Sequence, residues 1–222
     1  MITVEHRRSI RPSSSIYGSD VYHIFLPNKP LYITKVDSNT VAVSCTGKTI
    51  LIINISTGSV TSSIKTSGRY YGIVYDENNL YVVTDKGINV MDLTGKFERT
   101  IPVPSVNIRD ISVYRDKLVC IDNITIYCCS LYGTLKCQYK NDKFQNLRGV
   151  TTDCEGNVYV TDEWTNTVVM VTDLCNHYRD ILTYLDGLDK PCGIHFDKKE
   201  NVLLVSNAYL GKAFLFDVQR EP

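Results

Sequence analysis

The sequence is poor in the features that would settle its chemistry at once. No apolar run approaches the 18 or so residues a membrane helix needs, and Met1–Arg8 has no apolar stretch of a signal peptide. Cytoplasmic placement is the simplest expectation, with no membrane partner. Lys+Arg and Asp+Glu are both 24, so there is no surplus of positive charge to argue for nucleic acid. Histidine occurs four times, at His6, His23, His177 and His195. No C-x2-C pair is present, which excludes RING, zinc-ribbon and thioredoxin motifs. G-x-S-x-G, P-loop and G-x-G-x-x-G motifs are also absent.

Eight cysteines are present, at 45, 120, 128, 129, 137, 154, 175 and 192. Several lie in apolar runs such as Val119-Cys120-Ile121, where a free thiol packs as a small hydrophobe. The expectation is reduced core thiols. Cys175-x-His177 and Cys192-x2-His195 form a loose Cys2His2 set, but the spacings differ and His195 sits in an apolar run. Strand packing is the preferred account, with no metal and no cofactor.

What the sequence does contain is a repeat. Five strand-like runs begin at Asn39, Asn79, Lys117, Asn157 and Asn201, at intervals of 40, 38, 40 and 44. Each is followed by an apolar strand ending in a polar turn, such as Asp92-Leu-Thr-Gly95. Most are preceded by a further strand, as in Gly72-Ile-Val-Tyr-Asp76, Gly149-Val-Thr-Thr-Asp153 and Gly193-Ile-His-Phe-Asp197. Val, Ile and Tyr suit a half-buried pleated surface, and Gly, Asn and Asp suit its turns. A period near 40 with four strands per unit predicts an all-β propeller. The blades are expected at about 30–66, 69–103, 107–143, 146–186 and 190–220. Residues 177–186 also admit a helix, but their place in the repeat favours an outer strand. Residues 1–29, with Ile2–His6 and Val21–Leu26 strand-like, supply either a partial first blade or ring-closing strands. The expectation is part of a six-bladed ring, in a chain that is a fragment or truncated.

Arg148–Val171 resembles an NHL repeat: a Gly-apolar-x-x-Asp strand, a Gly-Asn turn, Val-Tyr-Val-Thr-Asp, then an Asn before the third strand. Lys190–Val218 matches well, with Ser206-Asn207 in place of the Asp, and the other units match loosely. The resemblance covers about residues 30–220 and is nearest to the C-terminal propellers of invertebrate tripartite-motif (TRIM) proteins. It implies a substrate-recognition module of an E3 ubiquitin ligase. Catalysis would then lie in a RING that these residues lack, and oligomerisation in a coiled coil outside them.

No catalytic site is expected within the chain. In lactonase-type propellers, acids in the channel bind calcium, and lyase propellers use a histidine-rich metal site. Here Asp153, Asp162 and Asp197 recur at strand ends, where turn capping is the simpler role. A metal-dependent hydrolase or lyase stays a minor alternative. For binding, each blade entry carries a cation: Lys29, Arg69, Arg109, Arg148 and Lys190. On one rim they would form a ring able to grip phosphates or an acidic peptide, unless they are merely a solvated rim. Trp164, in a polar loop, and Tyr209, at the matching place in the last blade, are aromatic candidates. Trp164 is either a binding anchor or a lid on the neighbouring blade. The partner is expected to be a protein or peptide, with RNA as the alternative.

Overall fold

The computed structural model describes residues 4, 5, 9, 10, 24, 26–66, 68, 70–172, 175, 177–208 and 212–218. The first two strands, β1 (Val4–Glu5) and β2 (Ser9–Ile10), pair with each other, and β2 lies against a later outer strand, Tyr178–Leu182. Of the expected strand Val21–Leu26, Ile24 and Leu26 are described and are not in a strand.

Five antiparallel sheets then follow in sequence. Blade 1 is β3 (Pro30–Lys35), β4 (Thr40–Cys45), β5 (Thr49–Asn54) and β6 (Ser59–Lys65). Blade 2 is β7 (Tyr70–Asp76), β8 (Asn79–Thr84), β9 (Gly87–Met91) and β10 (Phe97–Ile101). Blade 3 is β11 (Asp110–Tyr114), β12 (Lys117–Ile121), β13 (Thr125–Ser130) and β14 (Leu135–Lys140). Blade 4 is β15 (Leu147–Thr152), β16 (Val158–Asp162), β17 (Thr167–Val171) and β18 (Tyr178–Leu182). Blade 5 is β19 (Pro191–Asp197), β20 (Val202–Asn207) and β21 (Ala213–Asp217), three strands among the described residues.

The chain is a five-bladed β-propeller. Its first strands, β3, β7, β11, β15 and β19, stand side by side in that order around the centre. Residues 177–186 hold an outer strand and a short 3-10 helix, Tyr184–Asp186, capped by Thr183.

Alternation along each strand is what makes the blades stack. Neighbouring side chains point to opposite faces, so one strand feeds two interfaces. In β12, Leu118 and Cys120 pack toward blade 2, and Val119 and Ile121 toward blade 4. In β16, Val158 and Val160 face blade 3, and Tyr159 faces blade 5, where it stacks on Phe196. The far face of blade 1 is covered in part by Ile24 and Leu26.

The recurring aspartates hold turns. Asp153 accepts from the N–H groups of Glu155 and Asn157, the Asn157 amide and the Tyr159 hydroxyl, at 2.8–3.0 Å. Asp92, Asp122 and Asp197 each accept two backbone N–H groups from the residues just after them.

Two glycines mark where first strands come closest. A Cβ on Gly149 would lie 2.5 Å from the Cys192 carbonyl oxygen, and one on Gly72 would lie 2.6 Å from Asp110 Cα. Both obstacles are backbone, so they cannot swing aside. Gly149→Ala and Gly72→Ala should each destabilise the propeller by about 1–3 kcal/mol, the usual range for overpacking. Urea unfolding measures this, and an unchanged midpoint would show that the first strands are free to separate.

Candidate functional site

Antiparallel order fixes which loops share a rim. First strands begin at the upper rim, so the connections between blades and the loops after each second strand lie there too. Lys29, Arg109, Arg148 and Lys190 all fall at the start of a first strand and therefore on this rim. Arg69 and Tyr209 lie outside the described residues.

The rim around blade 4 is built by one buried carboxylate. Asp162, at the end of β16, accepts from Gln145 N–H at 2.8 Å, Asn146 N–H at 3.1 Å and Trp164 N–H at 3.1 Å. It binds the entry of the blade and the loop after its second strand into one unit. Glu163 follows and meets Arg148 Nε at 3.0 Å and the Asn146 amide at 2.7 Å. Asn166 ends the loop with a left-handed backbone, and its side chain accepts Lys190 N–H at 2.7 Å. The Trp164 loop is thus tied to the entry of both blade 4 and blade 5.

On that braced loop Trp164 is 65% exposed, so it is not a lid on the neighbouring blade. Tyr184 and Leu185, in the connection leaving the same blade, are 67% and 79% exposed on the same rim. Large exposed aromatics on a rigid support are what a binding hot spot requires. Lys190, whose N–H is held by Asn166 of the Trp164 loop, is exposed on the same rim.

The expected ring of cations is only partly a ring. Arg148 is paired with Glu163, which neutralises its charge locally. Arg109 is half-buried and lies within electrostatic reach of Tyr32, a residue that its sequence context does not single out. Tyr32 of blade 1 lies within electrostatic reach of Asp110 and Arg109 of blade 3, Arg148 of blade 4 and Cys192 of blade 5. Burial first, then the Asp110 carboxylate, push the Tyr32 hydroxyl well above the usual tyrosine range. Cys192 is also raised, mainly by burial.

Asp110 is also strongly perturbed. It is enclosed between Gly72 of blade 2 and Val150 of blade 4, whose N–H it accepts at 3.0 Å. Burial pushes its carboxyl up to about 7, although the Val150 and Ile111 N–H groups pull the other way. Tyr32, Asp110, Glu163 and Cys192 share a sequence signal: each sits at or next to the upper end of a first or second strand, where a propeller brings side chains inward.

The loose Cys2His2 set does not assemble. Cys175 and the exposed His177 lie at the lower rim, Cys192 lies near the centre, and His195 is exposed in β19 rather than packed. Among the described residues, the group of metal-ligating side chains that does come together is Cys128, Cys137 and Cys175. The cysteines are not all reduced core thiols either, since Cys137 and Cys175 form a disulfide. A cavity of about 430 Å³ opens at the lower rim between Met170, Tyr178, Arg179 and Phe196. Of the two acids on its wall, Asp153 and Glu155, Asp153 is already committed to its turn.

No family model matches the chain, and no curated protein matches it.

The raised Asp110 carboxyl has a consequence for stability. Its pKa is near 3.8 when unfolded and about 7 when folded, so the folded state holds a proton that the unfolded chain has lost. The contribution is full below about pH 3.8 and disappears as pH rises through 7. Asp110→Asn can still accept from Val150 and cannot ionise. Between pH 5 and pH 8 wild type should lose stability relative to this variant, measured as urea midpoints. Parallel pH curves for the two proteins would refute a raised Asp110 carboxyl.

Proposed function

We propose that the chain is a protein-interaction propeller that binds a protein or peptide partner on its upper rim. A propeller is consistent with an interaction domain, and the observation that carries the assignment is Trp164. It is exposed on a loop braced by Asp162 and Asn166, with Lys190, Tyr184 and Leu185 at the same rim. An anchor aromatic, apolar neighbours and a flanking cation suit a partner with an apolar residue next to an acidic one.

The resemblance of Arg148–Val171 to an NHL repeat supports a finer assignment, the recognition end of a TRIM-type ubiquitin ligase working in the cytoplasm. Ligase chemistry and coiled-coil assembly would belong to a longer parent protein. Protein is favoured over RNA by Glu163, whose carboxylate pairs with Arg148 and weakens any path for phosphates across the rim.

The test is selection of peptides from a displayed library against the purified chain, followed by affinities for Trp164→Ala and Lys190→Glu. Trp164→Ala should lose about thirty-fold or more, the threshold of a hot spot, with an unchanged melting temperature. Lys190→Glu should lose a smaller factor that shrinks in high salt. Equal binding by all three proteins would overturn the assignment. So would preference for single-stranded RNA with affinity falling steeply in salt.

A further inference from the structure

Blade 3 carries two adjacent cysteines that face opposite ways. Cys129 packs with Cys120 toward blade 2, and Cys128 packs toward blade 4. On the blade 4 side, Cys128 stands directly across from Cys137 in the register of β13 and β14. Cys175 arrives from the loop between β17 and β18 of blade 4. Three residues far apart in sequence therefore place their sulfurs within 4.8 Å of one another.

Cys137 and Cys175 are joined as a disulfide, and Cys128 Sγ lies 3.6 Å from Cys175 Sγ. Cys128 is buried, while Cys137 and Cys175 are half-exposed. Tyr139, Phe144 and Tyr178 pack as an aromatic cluster in the same seam between blades 3 and 4. A trio of sulfurs suits either a soft metal ion or thiol–disulfide exchange. Exchange is favoured because two of the sulfurs already share a bond. Among the described residues no imidazole or carboxylate joins the group as a fourth ligand.

We propose that Cys128, Cys137 and Cys175 form a thiol–disulfide exchange site in which Cys175 alternates between two partners. The Cys128 thiol gives up its proton to solvent, and its sulfur attacks Cys175 Sγ. A Cys128–Cys175 bond forms as the Cys137–Cys175 bond breaks. The electron pair leaves on the Cys137 sulfur, which takes up a proton, so the exchange has no net oxidation. Opening the site completely needs an external dithiol, which is oxidised to its disulfide as the protein disulfide is reduced to two thiols. Closing it consumes a low-molecular-weight disulfide such as glutathione disulfide, which is reduced to two thiols. The half-exposed sulfurs, Cys137 and Cys175, are the entry points for both reagents. Either bond fastens the blade 4 loop to blade 3, but to different strands: the outermost, β14, or the one inside it, β13.

Trypsin separates the three sulfurs onto peptides 118–136, 137–140 and 149–179, so each linkage has its own mass. The full chain would be equilibrated over a series of reduced and oxidised glutathione ratios, quenched in acid, alkylated and mapped without reduction. Fragmentation then distinguishes Cys128 from Cys120 and Cys129, and Cys175 from Cys154. In wild type, the 137–140 to 149–179 linkage should dominate, with the 118–136 to 149–179 linkage as a minor species. In Cys137→Ser the second linkage should become the dominant one, and in Cys128→Ser it should vanish. Cys137→Ser with Cys128 and Cys175 both still alkylated, and a circular-dichroism spectrum unchanged from wild type, would overturn the proposal. If that variant does not fold, absence of any 118–136 to 149–179 linkage in wild type across the series overturns it equally. One equivalent of zinc bound by the reduced chain and lost in Cys128→Ser, with no Cys128 linkage at any ratio, would make the trio a metal site instead.

Discussion

The fold depends on how each first strand is stitched to the next. Thr34 accepts Tyr75 N–H at 3.1 Å, joining blades 1 and 2, and Gly72 N–H donates to the Arg109 carbonyl at 2.8 Å, joining blades 2 and 3. Asp110 accepts Val150 N–H and Ser112 meets Thr152, joining blades 3 and 4, and Thr151 accepts Phe196 N–H at 3.1 Å, joining blades 4 and 5. First strands of adjacent blades do not pair as a sheet, so their inward backbone groups lack ladder partners. Short side chains on one strand meet the backbone of the next, which satisfies donors that would otherwise be costly to bury. Glycines at Gly72 and Gly149 let the strands come close enough for this. The apolar seams between blades follow from that spacing.

The same closeness produces the unusual chemistry of the centre. Strands drawn together bring Asp110, Arg148 and Cys192, from three other blades, within electrostatic reach of Tyr32. Desolvation then acts on groups that would be ordinary on a surface. Asp110 accepts a backbone N–H from the neighbouring blade, yet it is held in surroundings that favour its neutral form. A carboxyl there serves the seam as a hydrogen-bond acceptor at any pH, and its charge is what the fold resists.

The architecture was legible because propeller blades repeat their turn chemistry. Asp153-Cys-Glu-Gly-Asn157 and Asp197-Lys-Lys-Glu-Asn201 sit at matching places, and each Asp caps its turn through backbone N–H groups. Placement of Lys29, Arg109, Arg148 and Lys190 at one end of the first strands followed from the same period. What the period does not carry is anything made between blades. Tyr32 lies within electrostatic reach of Cys192 because blades 1 and 5 both approach the centre, and no spacing along the chain encodes that approach. The disulfide of Cys137 and Cys175 was hidden for the same reason, since the two sulfurs belong to different blades and to different positions within the repeat. The exposure of Trp164 was open from sequence, because a polar loop says where a tryptophan is and not whether its neighbour covers it.

The dipeptide Cys128-Cys129 occupies both seams of blade 3 at once, one side chain toward blade 4 and the other toward blade 2. A strand in that position works as a keystone. The two side chains hang from consecutive residues, at the point where the register of β13 with β14 shifts. One dipeptide thus belongs to the packing of two seams, and a substitution at either residue is made on a strand that both neighbouring blades rest against.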